Sequence, residues 1–567
     1  MEYLNITLAQ INSVVGAIKE NANKIIEIWQ KFDKTSHIIV FPELALTGYP
    51  PEDLLLKLDF CKACVKELEK IKKISKNFKS IAIIGIPYYD RNLYNSAVVI
   101  RKGEIIGIYY KKFLSNYFVF DEKRYFKASQ KPLIIEINDC KIGISIGEDI
   151  RHPDSGVEVL LNINTSPYFI KKYEFTINFL KARAKDNLAY IVYVNLVGAQ
   201  DELVFDGRSM VIDPEGEILF QSKAFEEDIS TVSLDLNKIK RLRLIDTRLR
   251  EETQKIIEII SIKDKRKLPF ILPKIKETPL NEAEIYQALI TGLRDYFHKN
   301  GFKKAILGLS GGIDSSLVAC LAVDALGKDK VIALFMPTEF TLQESFEDAR
   351  ILAKNLGIKL IEVPIQKIFE TYREEIAKYL GFENFTVAEE NLQARIRANL
   401  LFYMSNRKGY LVLSTSNKSE LAVGYTTIYG DMSGGFAPIK DVYKTLVYKL
   451  ARYRNTLKPD IPERVFKKAP SAELRPGQTD QDTLPPYEVL DIILKSYIEE
   501  GLSTQEIVEK LGKEIKKLSY DELASIVEKV IFMIKKAEYK RKQAPIGTKI
   551  TKRAFGKDWC MPITNKF

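Results

Sequence analysis

The segment Leu307-Gly308-Leu309-Ser310-Gly311-Gly312-Ile313-Asp314-Ser315-Ser316 determines how the second half of the chain folds. The apolar run 305–307 comes before its turn and the apolar pattern 317–322 follows it, which indicates a strand, a tight turn and a helix. Two adjacent glycines let the backbone approach a ligand closely, and the N-terminus of the helix attracts anions. Ser310 and Ser315 add hydroxyl donors, and Asp314 can hold a cation beside bound phosphates. The segment therefore predicts a phosphate site, although it is not a Walker A loop because no Gly-Lys-Ser/Thr follows.

The composition is that of a globular protein with more than one domain. The chain has 567 residues, 46% hydrophobic and 28% charged, which is too long for one hydrophobic core. No apolar run approaches the ~20 residues that span a bilayer, and the N-terminus lacks a signal-peptide pattern, so we expect a cytoplasmic protein without a membrane partner. The five cysteines show no metal-type pairing. The net charge of +11 comes from lysines scattered among acidic residues, which does not predict a nucleic-acid partner.

Periodicity divides the chain into residues 1–262, a linker of residues 263–282 and residues 283–567. The first part alternates short β-branched runs with helical stretches, which predicts a layered α/β domain. The linker is rich in Lys, Pro and Glu and has little periodicity. In the last part, strand patterns at 331–335, 359–363 and 410–414 alternate with helices and predict a doubly wound parallel sheet. Residues 463–486 hold several prolines and glycines and predict a long functional loop.

The motif at 310–315 resembles the pyrophosphate loop of ATP pyrophosphatases, which adenylate a substrate. Alone, the motif leaves open GMP synthetase, asparagine synthetase, tRNA-thiolating enzymes and NAD synthetase. Further blocks resemble NAD synthetase signatures in that family's order, at residues 390–397, 417–420, 429–432, 470–474 and 539–541. The resemblance implies a Rossmann-like domain of the adenine nucleotide alpha hydrolase type.

The N-terminal part is similar to the nitrilase superfamily, and in particular to the glutaminase domain attached to NAD synthetases. The similarity lies in residues 41–49, 111–117, 164–168 and 195–207. It implies an αββα sandwich in which a Glu, a Lys and a Cys form the catalytic triad. Glu43 matches the base, and Lys111 matches the lysine that stabilises the tetrahedral intermediate; Lys112 is a weaker match. The resemblance also implies that Tyr117, Ser166 and Lys172 contact glutamine.

Gly147 occupies the position of the nucleophile. The family block begins Cys-Glu-Asp, whereas this chain has Gly147-Glu148-Asp149, and glycine cannot form a thioester. Cys140 would lie about 23 Å away along an extended strand at ~3.3 Å per residue, so it cannot substitute unless the strand ends before it. Three explanations are open: natural loss of the cysteine, an inactivating substitution in a glutamine-dependent protein, or a nucleophile from elsewhere. Since acyl transfer from glutamine needs a positioned nucleophile, we expect this chain to use ammonia only.

The resemblance implies ATP-dependent amidation of deamido-NAD, with glutamine or ammonia as the family's nitrogen source. ATP adenylates the nicotinate carboxylate, pyrophosphate leaves, and ammonia attacks the acyl-adenylate. Mg²⁺ is implied with Asp314 and Glu420 as ligands. The family also implies a dimer-based homo-oligomer, with an octamer as one option. The residues implied at ATP are Gly308, Leu309, Ser310, Gly311, Gly312, Ile313, Asp314, Ser315 and Thr415. Those implied at deamido-NAD are Asn391, Arg395, Glu420, Asp431, Lys444 and Lys540.

Overall fold

Two units make up the chain, Met1–Pro279 and Leu280–Phe567. The structure is a computed structural model that describes residues 2–152, 156–248, 259–381, 384–515 and 518–565. No helix in these ranges is long and apolar enough to cross a membrane.

The first unit is built on two β-sheets, and its elements follow in chain order. Its helices are α1 (Ile18–Phe32), α2 (Leu58–Ile74), α3 (Lys172–Asn187) and α4 (Leu236–Ile245). Its strands are β1 (Tyr3–Gln10), β2 (Ile38–Val40), β3 (Ile81–Asp90), β4 (Asn92–Arg101), β5 (Glu104–Tyr110), β6 (Ile134–Ile137), β7 (Cys140–Ile146), β8 (Val159–Asn164), β9 (Tyr190–Asn195), β10 (Val197–Gln200), β11 (Leu203–Asp206), β12 (Met210–Ile212), β13 (Ile218–Gln221), β14 (Asp228–Asp235) and β15 (Ile259–Ile262). Within the described residues the sheet orders are β14-β1-β2-β3-β4-β5 and β13-β12-β9-β8-β7-β6-β15, with β10 and β11 forming a separate hairpin.

Apolar residues on both faces of these sheets build three layers of core. Leu4 and Ile6 of β1 share one cluster with Ile144 of β7, so the inner faces of the two sheets pack together. The outer face of the first sheet packs on α1 and α2 around Trp29, and the outer face of the second packs on α3. This arrangement confirms the predicted αββα sandwich. It also leaves the ends of β2, β5 and β7 followed by Glu43, Lys111 and Gly147, respectively.

The predicted linker is bound along the first unit. Asn5 Nδ2 donates to Pro269 O at 2.9 Å, and Ile271 N donates to Ser233 Oγ at 2.8 Å. Lys276 Nζ lies 2.5 Å from Asp228 Oδ2. The segment lacks periodicity because it is an extended chain that is hydrogen-bonded to the first unit.

The second unit is built on a parallel sheet covered by helices. Its strands are β16 (Ala305–Gly308), β17 (Val331–Phe335), β18 (Lys359–Glu362) and β19 (Leu411–Leu413). Its helices are α5 (Asn281–Asn300), α6 (Ile313–Leu326), α7 (Gln343–Leu356), α8 (Gln366–Leu380), α9 (Val387–Lys408), α10 (Lys418–Val423), α11 (Lys444–Leu457), α12 (Glu463–Lys467), α13 (Tyr487–Ile498), α14 (Thr504–Glu514), α15 (Tyr520–Lys536) and α16 (Glu538–Arg541). In the described ranges the sheet order is β18-β17-β16-β19, with every pairing parallel. The predicted doubly wound parallel sheet is confirmed.

The strand order places a ligand crevice in a definite position. The chain moves outward from β16 to β17 and β18, and then returns to the other side of β16 with β19. Parallel sheets bind ligands beyond the carboxyl ends of the strands at such a switch point. The phosphate-loop segment follows β16, and Thr415 follows β19.

One part of the predicted loop at 463–486 is helical. The short helix α12 begins directly after Pro462, and its Val465 and Phe466 are buried. Arg464 on the same turn donates to both oxygens of Asp348, at 3.1 Å. The sequence did not predict this single helical turn because prolines and glycines surround it and tertiary contacts stabilise it.

Candidate functional site

Glu43 lies in the interior of the first unit with its carboxylate fully hydrogen-bonded. It is 2% exposed. Asn95 Nδ2 and Lys111 Nζ each donate to Oε1 at 2.7 Å, and Thr165 Oγ1 donates to Oε2 at 2.8 Å. These donors come from β4, the end of β5 and the end of β8, so the carboxylate is held from three directions. A carboxylate held in this way is oriented to act on a neighbouring group.

Lys111 is buried between two carboxylates. Its Nζ lies 2.7 Å from Glu43 Oε1 and 2.9 Å from Glu122 Oε1. Burial by itself would lower the pKa of Lys111, but the charges of Glu122 and Glu43 outweigh it and raise that pKa. Burial raises the pKa of Glu122. The lysine is therefore a fixed positive charge next to the Glu43 carboxylate.

Gly147 faces this pair. It begins a 3₁₀ turn directly after β7, with φ of +53°. A Cβ at this position would lie 2.9 Å from Lys111 Nζ and 3.6 Å from Glu43 Oε2. The structure thus brings together the three positions that the sequence predicted as a triad, and the side chain of the third is a hydrogen atom.

Cys140 lies at the far end of the strand that leads to Gly147. β7 runs without interruption from Cys140 to Ile146. Burial raises the pKa of the Cys140 thiol, which keeps it protonated. Both its distance and its protonation state prevent it from replacing a nucleophile at position 147.

The predicted glutamine-binding residues lie around the same turn. Tyr117 is exposed, and its hydroxyl donates to Glu148 Oε1 at 2.7 Å, next to Gly147. Lys172 is buried, and its Nζ donates to Ser166 O at 2.6 Å. Ser166 follows Thr165, which donates to Glu43. The side chains therefore flank the Glu43–Lys111 pair with one exposed aromatic ring and one buried cation.

We expect replacement of Lys111 by methionine to destabilise the first unit. The change leaves Glu43 and Glu122 buried without their shared cation, and breaking a buried pair costs about 3–5 kcal/mol. Urea unfolding followed by Trp29 fluorescence in a Trp559→Phe background measures this, because the chain has two tryptophans and Trp29 is in the first unit. The control is Lys112→Met, whose side chain is partly exposed. Equal stabilities of the two variants would contradict the expectation.

The second unit contains a cavity of about 450 Å³ at the switch point of its sheet. The phosphate-loop turn lines one part of this cavity. Gly311 has φ of +80°, and a Cβ there would lie 2.2 Å from Ser345 O, so glycine is required. Ser315 Oγ accepts a hydrogen bond from Ser310 N at 3.2 Å and fixes the turn. The predicted ATP residues that line the cavity are Gly308, Leu309, Ser310, Gly311, Gly312, Ile313, Asp314, Ser315 and Thr415.

Two carboxylates and a lysine meet at one wall of this cavity. Lys444 Nζ lies 2.5 Å from Asp314 Oδ2 and 3.4 Å from Glu420 Oε1. Asn417 Nδ2 donates to Asp314 Oδ1 at 2.9 Å, and Asn417 also caps α10, which carries Glu420. Burial raises the pKa of Glu420 to about 8. Burial would lower the pKa of Lys444, but Asp314 and Glu420 raise it. Asp314 and Glu420 are the carboxylates at this wall that could hold a cation, and both already contact Lys444.

Five of the six residues predicted at deamido-NAD line the cavity: Glu420 and Lys444 at the wall just described, and Asn391, Asp431 and Lys540. Asp431 accepts from Thr427 N at 2.6 Å, and Thr427 Oγ1 donates to Asn391 Oδ1 at 2.6 Å. Asp431 is open to the cavity solvent, yet partial burial raises its pKa to about 6. Lys540 Nζ donates to the carbonyl oxygens of residues 424 and 426 at 2.7 and 2.8 Å. Arg395 is exposed and donates to Ile428 O at 3.2 Å, and it is not among the residues that line the cavity.

Sequence reasoning gave no role to several residues that the structure places at the two sites. Glu122, Asn95 and Thr165 complete the network around Glu43. Arg397 lines the cavity, donates to Met336 O at 3.0 Å, and has a pKa lowered to about 10 by burial. Arg397 belongs to the block at 390–397 that resembles an NAD synthetase signature, and this position could have identified it from the sequence. Lys468, Glu473 and Asp480 also line the cavity, and they belong to the segment predicted as a functional loop.

Comparison with known proteins assigns both units. A carbon–nitrogen hydrolase family model matches residues 5–244, and an NAD synthase family model matches residues 285–544. The chain is 58% identical over 578 residues to the glutamine-dependent NAD(+) synthetase of Aquifex aeolicus, covering 100% of both chains. This chain belongs to the glutamine-dependent NAD(+) synthetase family. It is therefore a carbon–nitrogen ligase of a family that uses ATP.

Further members of the glutamine-dependent NAD(+) synthetase family agree over the full length. The protein of that name from Thermotoga maritima is 48% identical over 584 residues, covering 100% of this chain and 99% of the relative. A solved structure of glutamine-dependent NAD+ synthetase from Acinetobacter baumannii in complex with ADP is 38% identical, with a TM-score of 0.74, and covers 99% of this chain and 98% of that one.

Proposed function

We propose that this chain forms NAD from deamido-NAD and ATP with ammonia as its only nitrogen donor. One observation carries the proposal: Gly147 faces the Glu43–Lys111 pair at the distance of a Cβ contact, and it has no side chain to attack glutamine. Without a nucleophile the covalent step of glutamine hydrolysis cannot begin. A glutamine-dependent protein inactivated at position 147 would behave in the same way, so the proposal holds for this chain under either origin of the glycine.

In the first unit, Glu43 and Lys111 take the roles of base and oxyanion stabiliser around a missing thiol. Tyr117, Ser166 and Lys172 form the side of the site that would contact glutamine. These assignments are supported by the hydrogen bonds that join the residues to the turn at 147 and to Thr165. We propose domain limits of 1–262 and 283–567 with the connecting segment 263–282, and assembly into a dimer-based homo-oligomer.

In the second unit, we propose that the phosphate loop binds the phosphates of ATP through backbone N–H groups at the start of α6. Asn391, Asp431 and Lys540 hold the dinucleotide, with Arg395 at the edge of its site. The nicotinate carboxylate attacks the α-phosphorus of ATP, and pyrophosphate leaves. Ammonia then attacks the acyl carbon, AMP leaves, and the amide loses a proton. Lys444 orients the carboxylates beside the phosphates and contributes positive charge near the developing negative charge.

The residues present fit Mg²⁺, which we propose as the metal. Asp314 and Glu420 offer oxygen donors, the ligands that Mg²⁺ prefers, at the cavity wall next to the phosphate loop. Burial raises the pKa of Glu420, and a cation bound beside it would favour its anionic form. When bound, the ion would neutralise phosphate charge.

The test is NAD formation from deamido-NAD, ATP and Mg²⁺ with two nitrogen sources in parallel. Protein freed of ammonia is supplied with glutamine labelled with ¹⁵N in its amide, or with ¹⁵N-ammonium. We expect labelled NAD from ammonium and none from glutamine. Turnover with glutamine equal to that with ammonium would show that another nucleophile exists. Absence of NAD with both sources would refute the synthetase assignment.

A further inference from the structure

A stretch of irregular backbone, residues 468–479, forms one wall of the cavity in the second unit. We call it the wall segment. It follows α12 and contains Lys468, Glu473 and Leu474, which line the cavity. A segment without helix or strand hydrogen bonds must satisfy its backbone groups through turns, side chains or water.

The peptide groups of Leu474 are held by two glutamine side chains. Gln393 Nε2 donates to Leu474 O at 2.9 Å, and Leu474 N donates to Gln478 Oε1 at 2.9 Å. Gln393 is 0% exposed. Water therefore cannot replace its donor readily, and without that donor the Leu474 carbonyl would lose its side-chain partner. The Gln393 contact is the stronger constraint on where the wall segment lies.

Helix α9 holds the wall segment from the side that faces the dinucleotide. Gln393 is two residues beyond Asn391 on this helix, and Asn391 lines the cavity. Glu390 lies one turn before Gln393, accepts from Gln478 Nε2 at 3.4 Å and pairs with Arg475 at 3.2 Å. The wall segment is thus attached to one helix at two neighbouring points.

The other attachment leads to the phosphate loop. Glu473 accepts from Ser345 Oγ at 2.6 Å and from Leu342 N at 3.2 Å, at the start of α7. This end of α7 abuts the phosphate loop, since a Cβ on Gly311 would lie 2.2 Å from Ser345 O. Lys468 Nζ also bonds Ser345 Oγ, which brings a positive charge to the phosphate end of the cavity. A shift of the wall segment would therefore move groups next to the phosphates of ATP.

We propose that Gln393, together with Gln478, is a positioning residue that fixes the wall segment and thereby sets the affinity for ATP. Gln393 is not among the residues that line the cavity, so its effect passes through Leu474, whereas Gln478 both lines the cavity and holds Leu474. The inference rests on the ATP-dependent reaction proposed above, and it adds two residues that the resemblance did not supply.

The test uses the full chain with Gln393→Met, which removes the donor and keeps the side-chain length. We expect the KM for ATP to rise about fivefold, as loss of one hydrogen bond predicts, with kcat within about twofold of the parent. The KM for deamido-NAD should stay within about twofold, because α9 itself remains in place. Trypsin should also cut after Lys467 or Lys468 faster than in the parent, and ATP should slow that cleavage.

The matched control is Gln505→Met, an exposed glutamine on α14 that bonds Glu509 at 3.1 Å. It should leave the KM for ATP and the tryptic cleavage unchanged. If Gln393→Met does not fold, Gln478→Met replaces it, since that change leaves the Gln393 donor intact. Parent-like KM and parent-like cleavage in a folded variant would overturn the inference. A parent chain that makes no NAD would refute the proposed function, while the cleavage rates without ATP would still decide whether Gln393 holds the segment.

Discussion

Replacing Gly147 by cysteine should convert glutamine from an inert compound into a nitrogen donor. A Cβ at this position would lie 3.6 Å from Glu43 Oε2, which places the new side chain beside the base. Lys111 Nζ lies 2.9 Å from that Cβ and must shift by a few tenths of an ångström, which the end of a flexible side chain can do. Glutamine-dependent NAD formation should rise at least about a hundredfold over the parent chain, since a nucleophile replaces none.

The substitution strains the backbone, and control variants separate this strain from the gain in glutamine-dependent activity. A side chain at φ of +53° strains the backbone by about 1–3 kcal/mol. Gly147→Ala carries the same strain without a thiol and should remain inactive with glutamine. Gly147→Cys combined with Glu43→Gln should lose most of the new activity. A folded Gly147→Cys variant that binds a thiol reagent at position 147 and still gives no NAD from glutamine would contradict the geometry described for this site.

Replacing Asp314 by asparagine should nearly abolish NAD formation with ammonium. The change removes a negative charge that lies 2.5 Å from Lys444 Nζ and that we propose as a ligand of Mg²⁺. Loss of one metal ligand beside the transferring phosphoryl group should lower kcat at least about a hundredfold. The Mg²⁺ concentration needed for half-maximal rate should rise as well.

Asp324 provides the control for Asp314. It lies on the same helix, α6, and pairs with Arg454 at 2.5 Å, but it does not line the cavity. Asp324→Asn should reduce thermal stability, because it removes a carboxylate partner of the buried Arg454, and should keep kcat within about threefold of the parent, because Asp324 does not line the cavity. An Asp314→Asn variant as active as Asp324→Asn would remove Asp314 from the proposed site.

The fold was predictable where local pattern and special turn chemistry agree. The strand at 331–335 has the predicted limits because it is a short apolar run that follows Lys330 and ends shortly before Pro337. The phosphate loop was predictable because adjacent glycines mark a turn in which a side chain would not fit. A Cβ on Gly311 would lie 2.2 Å from Ser345 O. The helix α12 was missed because its stability comes from Arg464 and Asp348, which are distant in sequence.

The candidate sites were predictable in part, and the missing part has a common physical cause. Glu122 and Asn95 meet Lys111 and Glu43 only after β4 and β5 are paired, so no spacing in the sequence marks them. Asn391 and Arg395 are four residues apart on α9, and at 3.6 residues per turn their side chains point about 40° apart around the helix. Asn391 lines the cavity, whereas Arg395 is exposed. The role of Arg395 stays a prediction.

The hydrogen bonds around Glu43 have a consequence for how such a protein changes over generations. Every oxygen of that carboxylate is satisfied by Asn95, Lys111 and Thr165, and position 147 contributes none of these bonds. Exchange of the residue at 147 for glycine therefore leaves the hydrogen bonds of this carboxylate in place and removes only the nucleophile. The same independence makes the change reversible, since the rest of the site keeps its arrangement while the nucleophile is absent.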